Sequence, residues 1–156
     1  MAEQTVADVV GYLARGFPRQ PIDRDQYIRE LADVPVGVLA AAVQQSLRTP
    51  GEWVPSVGDI RARCAEQMLG LPSEREAAQQ VDGRIRWGRA KDGEPPTVHP
   101  LVREAVDHVG GWHSIRSSDR PEVVRGQMLR FYREARDAEI RSAASRDMGV
   151  APVTPA

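Results

Sequence analysis

The sequence is short of several residue types on which whole classes of function depend. Among its 156 residues there is one cysteine, Cys64, so the chain builds neither an internal disulfide nor a cysteine zinc cluster, as suits a reducing compartment. It has no apolar run of about eighteen residues, the length a membrane-spanning helix needs. The opening MAEQTVADVV lacks the basic stretch and apolar core of a secretory leader. A cytoplasmic protein with no membrane partner is therefore expected. Histidines are limited to His99, His108 and His113, and the last two straddle Gly110 and Gly111 instead of forming the i, i+4 pair of a zinc helix. The patterns GxxxxGK(S/T), GxGxxG and GxSxG are all missing, which removes the usual scaffolds for nucleotide hydrolysis, dinucleotide chemistry and ester cleavage. The expectation is a protein that is not an enzyme, with no cofactor, no metal and no catalytic residue.

Aromatic residues are also scarce, at three Trp, three Tyr and two Phe. Each placement is correspondingly informative. Charge is plentiful but uneven, with residues 1–82 at −4 and residues 83–156 at +3, and Lys91 is the single lysine among the basic residues.

Apolar residues recur at helical spacing throughout, and no segment alternates with the period of a strand, so the fold class is all-α. Val6, Val9, Val10 and Leu13 give a first helix that ends near Gly16. Asp23 caps a second carrying Tyr27, Ile28 and Leu31, and Pro35 opens a third with Val36, Leu39, Ala40, Val43 and Leu47. Ser56 with Asp59, and Ser73 with Glu76, each have the spacing of a capping box before a helix. Pro100 opens a sixth helix that closes on Gly110 and Gly111, and Asp119 with Pro121 and Glu122 announces a long last one. The expected organisation is a small N-terminal helical bundle over residues 1–90, a Pro/Gly-rich linker at 91–100 and a C-terminal helical hairpin-like segment at 101–142. A disordered tail at 143–156 follows, since SRDMGVAPVTPA offers nothing to bury.

One cluster suits nucleic acid. Arg84, Arg86, Arg89 and Lys91 surround Trp87, a set that places cations on phosphates and an aromatic face on an unpaired base. A structural reading competes: arginines favour a helix C-terminus, with Trp87 packed on a neighbour. The arginines of the last helix alternate with acids and read as a solvated face.

The stretch GEWVPSVGDIRARC places Trp53 before Pro55 and a capped helix. Preceded by YIRELADV and PVGVLAAAVQQSL, it resembles the N-terminal helical domain of phage replicative-helicase loaders, the loader-and-inhibitor family, and more loosely the lambda-type replication P proteins. Trp53, Pro55, Ser56, Asp59 and Ile60 occupy the matching places, and the likeness covers about residues 2–66. HPLVREAVDHVGGWHSI and MLRFYREA, with Gly110, Gly111, Trp112, Phe131 and Tyr132, resemble a segment of phage proteins encoded near replication genes, although Phe131 and Tyr132 stand side by side where that pattern spaces its aromatics.

The resemblance implies a DNA-replication adaptor that binds the replicative helicase and helps load it onto single-stranded DNA. Trp112, Ile115, Met128, Phe131 and Tyr132 would then be helical-spaced anchors for the partner, or simply the filling of a small core. Trp53 would be structural, and its replacement by alanine would cost about 3–5 kcal/mol if it were fully buried. Two rival readings stand beside this one: a helix-turn-helix DNA-binding protein in which Arg61 and Arg63 reach the groove, and an oligomeric packaging or virion-assembly component. The oligomeric state is left open.

Overall fold

The computed structural model describes residues 2–49, 51 and 53–149. Among these there are eight helices and no strand: α1 (Val6–Gly16), α2 (Arg24–Glu30), α3 (Val36–Arg48), α4 (Val57–Leu69), α5 (Glu74–Ala90), α6 (Pro100–His108), α7 (Gly111–Ser117) and α8 (Pro121–Ala144). None is long and apolar enough to cross a membrane. The caps explain the boundaries. Thr5, Ser56 and Ser73 each accept from the backbone of the residue three positions on, whose carboxylate returns the bond, so three capping boxes start α1, α4 and α5. Those bonds hold the carboxyls of Asp8, Asp59 and Glu76 below the ordinary range. Asp23 caps α2, and Gly70 ends α4 in the left-handed region that glycine tolerates best.

The chain divides into two compact units, residues 1–70 with 140–156, and residues 71–139. In the first, α1, α3 and α4 each turn one apolar stripe inward, joined by Leu31 and Val34 at the end of α2. Val9, Val10, Leu13, Leu31, Leu39, Val43, Ile60 and Cys64 form its core. Each large aliphatic side chain buried there contributes about 1.5–3 kcal/mol relative to exposure. A Cβ at Gly16 would come within 2.2 Å of the Leu47 side chain, so any larger residue there requires that methyl to move. Burial raises the Cys64 thiol to about 11, so it is a core filler and not a nucleophile.

The expected disordered tail is corrected over residues 143–149. Ala143 and Ala144 finish α8, and Met148 is 5% exposed within the first core. The polar anchor is Arg61. Its guanidinium donates to both carboxylate oxygens of Asp33 (2.6 and 2.8 Å) and to the carbonyls of Glu30, Ala144 and Arg146 (2.7 Å each), while the Met148 N–H donates to Asp33. A local reading of SRDMGV finds nothing to bury because its partners lie more than 80 residues earlier in the chain. Residues 150–156, the rest of the expected tail, lie outside the described residues.

The second unit corrects the expected boundary. Helix α5, assigned from sequence to the N-terminal bundle, buries Ala77 and Val81 with Val102, Ala105, Val106, Ile115, Met128 and Tyr132. Residues 91–99 are accordingly a loop inside this unit instead of a linker between domains: Val98 is buried, the His99 N–H donates to Gln80 Oε1 (2.8 Å), and the Trp87 indole N–H donates to the Gly93 carbonyl (3.0 Å). The charge asymmetry of the two halves does not survive this division, because Glu74, Glu76 and Asp82 join the arginines of the second unit. Local charge, not the charge of a half, decides what each surface attracts.

Candidate functional site

Two features of the surface stand out, one in each unit. In the first, the stretch around Trp53 overturns the expectation of a buried indole: Trp53 is 77% exposed, the most exposed large apolar residue of those described. The turn is held by other groups. The Tyr27 hydroxyl donates to the Pro55 carbonyl (3.1 Å), the Val54 N–H donates to Gln20 Oε1, Ser56 and Asp59 cap α4, and Ile60 is fully buried. Pro55, Ser56, Asp59 and Ile60 therefore have folding roles, and Trp53 has none. Trp53→Ala is expected to shift stability by less than about 0.5 kcal/mol, the usual range of a surface change, far below the 3–5 kcal/mol of a buried indole. Coincident urea unfolding curves for the variant and the parent would establish this, and a loss above about 2 kcal/mol would refute it.

In the second unit, α5, α7 and the start of α8 enclose two adjoining cavities. One, of about 240 Å³, is lined by Arg84, Ile85, Trp87, Gly88, Lys91, Trp112 and Arg116. The other, of about 400 Å³, draws Arg86, Arg89, Arg116 and Arg125 together with Asp82 and Glu122. Ile85 and Arg116 belong to both. Arg84 and the C-cap residue Lys91 line the smaller cavity, and Arg86 and Arg89, on another face of α5, line the larger, so each pair of cations serves a different cavity. The Arg84 guanidinium lies over the Trp87 ring, 4.3 Å from its centroid, and 5.8 Å from that of Trp112. Asp82 is engaged by Arg125 at 2.7 Å, whereas the side chains of Arg86, Arg89, Lys91 and Arg116 have no ion-pair or hydrogen-bond partner among the described residues. All five residues proposed from sequence thus lie together, and the fold adds Trp112, Arg116 and Arg125, which sequence reading did not connect to them. The signal missed was the position of α7 against α5, a tertiary fact.

The partner anchors expected from sequence divide. Ile115, Met128 and Tyr132 are core residues, at 5%, 0% and 0% exposure, and Tyr132 donates its hydroxyl to the Pro72 carbonyl. They are corrected from interface anchors to core residues, because the inward stripe of α8 is the same stripe that helical spacing marks as apolar. Trp112 is half-buried on the cavity wall, and Phe131 remains 39% exposed, stacked on His108 with ring centroids 5.0 Å apart. Arg61, the proposed groove-reader of the rival helix-turn-helix, has its guanidinium saturated by Asp33 and three carbonyls and is withdrawn from that role. Among the described residues no three His, Cys, Asp or Glu side chains gather as a metal site. His99 instead caps α6, accepting from the Leu101 N–H at 3.2 Å.

No protein-family description, curated protein or solved structure matches this chain.

Proposed function

We propose that this protein is a non-enzymatic DNA-replication adaptor of the phage type, which binds the replicative helicase and helps load it onto DNA. The observation that carries this reading is the division of labour within the Trp53 motif. Of the five residues that resemble the helicase-loader motif, four are accounted for by the capped turn and core, and the fifth is an indole exposed on that turn. A large exposed aromatic side chain is the kind of residue that anchors a protein interface. An adaptor works by binding one conformation of its partner better than another, which requires surfaces and not a reaction centre.

A second reading, direct nucleic-acid binding, is favoured by the cations lining the cavities of the second unit. It is compatible with the first, since a loader meets both helicase and single-stranded DNA.

The test is native mass spectrometry of the protein with the replicative helicase of its host at physiological salt, with and without ATP. A defined complex is expected, weakened about tenfold or more by Trp53→Ala, in keeping with loss of a hot-spot side chain. Absence of any complex, or a complex indifferent to Trp53, would overturn the proposal. Discrete rings of this chain alone would direct attention to the assembly reading.

A further inference from the structure

We infer that the paired cavities of the second unit form a binding site for single-stranded nucleic acid, with phosphates on Arg86, Arg89, Lys91 and Arg116 and an unpaired base against Trp87 and Trp112. This deepens the nucleic-acid reading given above, on which it rests, and uses residues of the other unit from Trp53, so it stands or falls separately from the helicase reading. Three observations converge on it.

The first is charge. Six basic residues line the two cavities against two acids, and Arg125 already satisfies one of those acids. Four cationic side chains left without a protein partner along two adjoining cavities repel one another, a cost that a polyanion removes. The second is preorganisation. Arg84 lies over one face of Trp87 and near Trp112, and the Trp87 ring is tied by its N–H to Gly93, so indole and cation are fixed together before any ligand arrives, leaving a base the indole surface that Arg84 does not cover. Gly88, inside α5 where alanine suits a helix better, leaves room for the Arg116 guanidinium, which a Cβ would approach to 3.3 Å.

The third observation is shape and chemistry together. The cavities hold about 400 and 240 Å³ between helices, room for a base or a single nucleotide unit and not for the width of a duplex, so an unpaired strand suits them. An acidic peptide would satisfy the cations but has no planar base for the indoles. The chemistry therefore points to an unpaired strand, recognised through phosphate and stacking and with little sequence preference.

The experiment is fluorescence anisotropy of the full chain with a labelled oligothymidylate about 16 nucleotides long. Binding is expected to be salt-dependent. The double charge reversal R86E/R89E should weaken it at least tenfold and flatten the dependence of log K on log salt by about 0.7 for each phosphate that is no longer neutralised. Arg130→Glu, a single reversal at an exposed site of α8 already paired with Glu134 at 3.0 Å, should leave it within about twofold, well short of half the effect of the double reversal on a logarithmic scale. In a Trp53→Phe background, the remaining indole emission should be quenched on binding, with Trp112→Ala reducing both quench and affinity. The inference is overturned if no binding appears at low salt, if Arg130→Glu matters as much as R86E/R89E, or if a duplex or polyglutamate of equal charge binds as tightly. Equal circular dichroism of the variants and the parent shows that each loss arises from the cleft and not from unfolding.

Discussion

Replacing Tyr132 with alanine is expected to destabilise the second unit by about 3–5 kcal/mol, as deletion of a large buried aromatic ring does. The ring is fully buried among Ala77, Val81, Val102 and Met128, and the hydroxyl donates to the Pro72 carbonyl at the turn before α5. Against a typical domain stability of about 5–15 kcal/mol this is a large fraction. Tyr132→Phe separates the two contributions. It keeps the ring and removes one donor, and because Arg136 Nε also donates to the Pro72 carbonyl (3.0 Å), that oxygen keeps a partner. The phenylalanine variant should therefore cost only about 0.5–1.5 kcal/mol. Urea unfolding with hydrogen exchange over residues 71–139 checks both. A Tyr132→Ala cost below about 1 kcal/mol would mean that the ring is not the keystone of this core.

The second large effect is expected in the first unit, at Arg61→Met, which retains the apolar stem and removes the guanidinium. Five hydrogen bonds are lost at once, and the Asp33 carboxylate is left with the Met148 N–H. Removing one partner of a fully buried pair costs about 3–5 kcal/mol. Here the side chains are 17% and 25% exposed, so water recovers part of that and about 2–3 kcal/mol is expected. Hydrogen exchange of residues 144–149 should accelerate together with the loss, because two of the five acceptors hold that segment.

The same pair gives a pH dependence with a definite sign. The Arg61 guanidinium, opposed by desolvation and aided by the Met148 N–H, holds the Asp33 carboxyl at about 2 against an ordinary 3.8. A carboxyl depressed in the folded state contributes stability that is complete above the unfolded value and is lost as pH falls toward the folded one. The stability difference between parent and Arg61→Met should thus be largest above pH 4 and shrink between about 4 and 2. The capped carboxyls of Asp8, Asp59 and Glu76 also lose their bonds on acidification, but they do so in both proteins and cancel in the difference. A difference that is flat across this window would refute the assignment to Asp33.

Helix existence and most helix starts were legible in the sequence because they are set by neighbours three and four residues away. Ser56 with Asp59, Ser73 with Glu76, Asp23 and Pro100 carry their meaning locally, and the helices begin where they stand. The cluster of Arg84, Arg86, Trp87, Arg89 and Lys91 was legible for the same reason, since four of them lie on the last turns of α5 and Lys91 caps it. Trp53 was misread. Its place before a capped helix suggested packing, yet the turn is held through Pro55 and Val54 by Tyr27 and Gln20, far back in the chain, and the indole is left exposed.

By itself, then, the sequence determined an all-helical chain with capped helices, a basic aromatic segment on α5 and an aromatic-x-Pro-Ser turn. The tertiary structure alone decided the rest. It assigned α5 to the second unit, returned Met148 to the first core through Arg61 and Asp33, sent Tyr132 inward and Trp53 outward, and brought Trp112 and Arg116 to the cations of α5. The reason is physical: caps and helical periodicity are short-range and read directly from residue order. Which apolar stripe meets which, and which charge finds its partner, depends on packing between segments tens of residues apart, on which local order is silent.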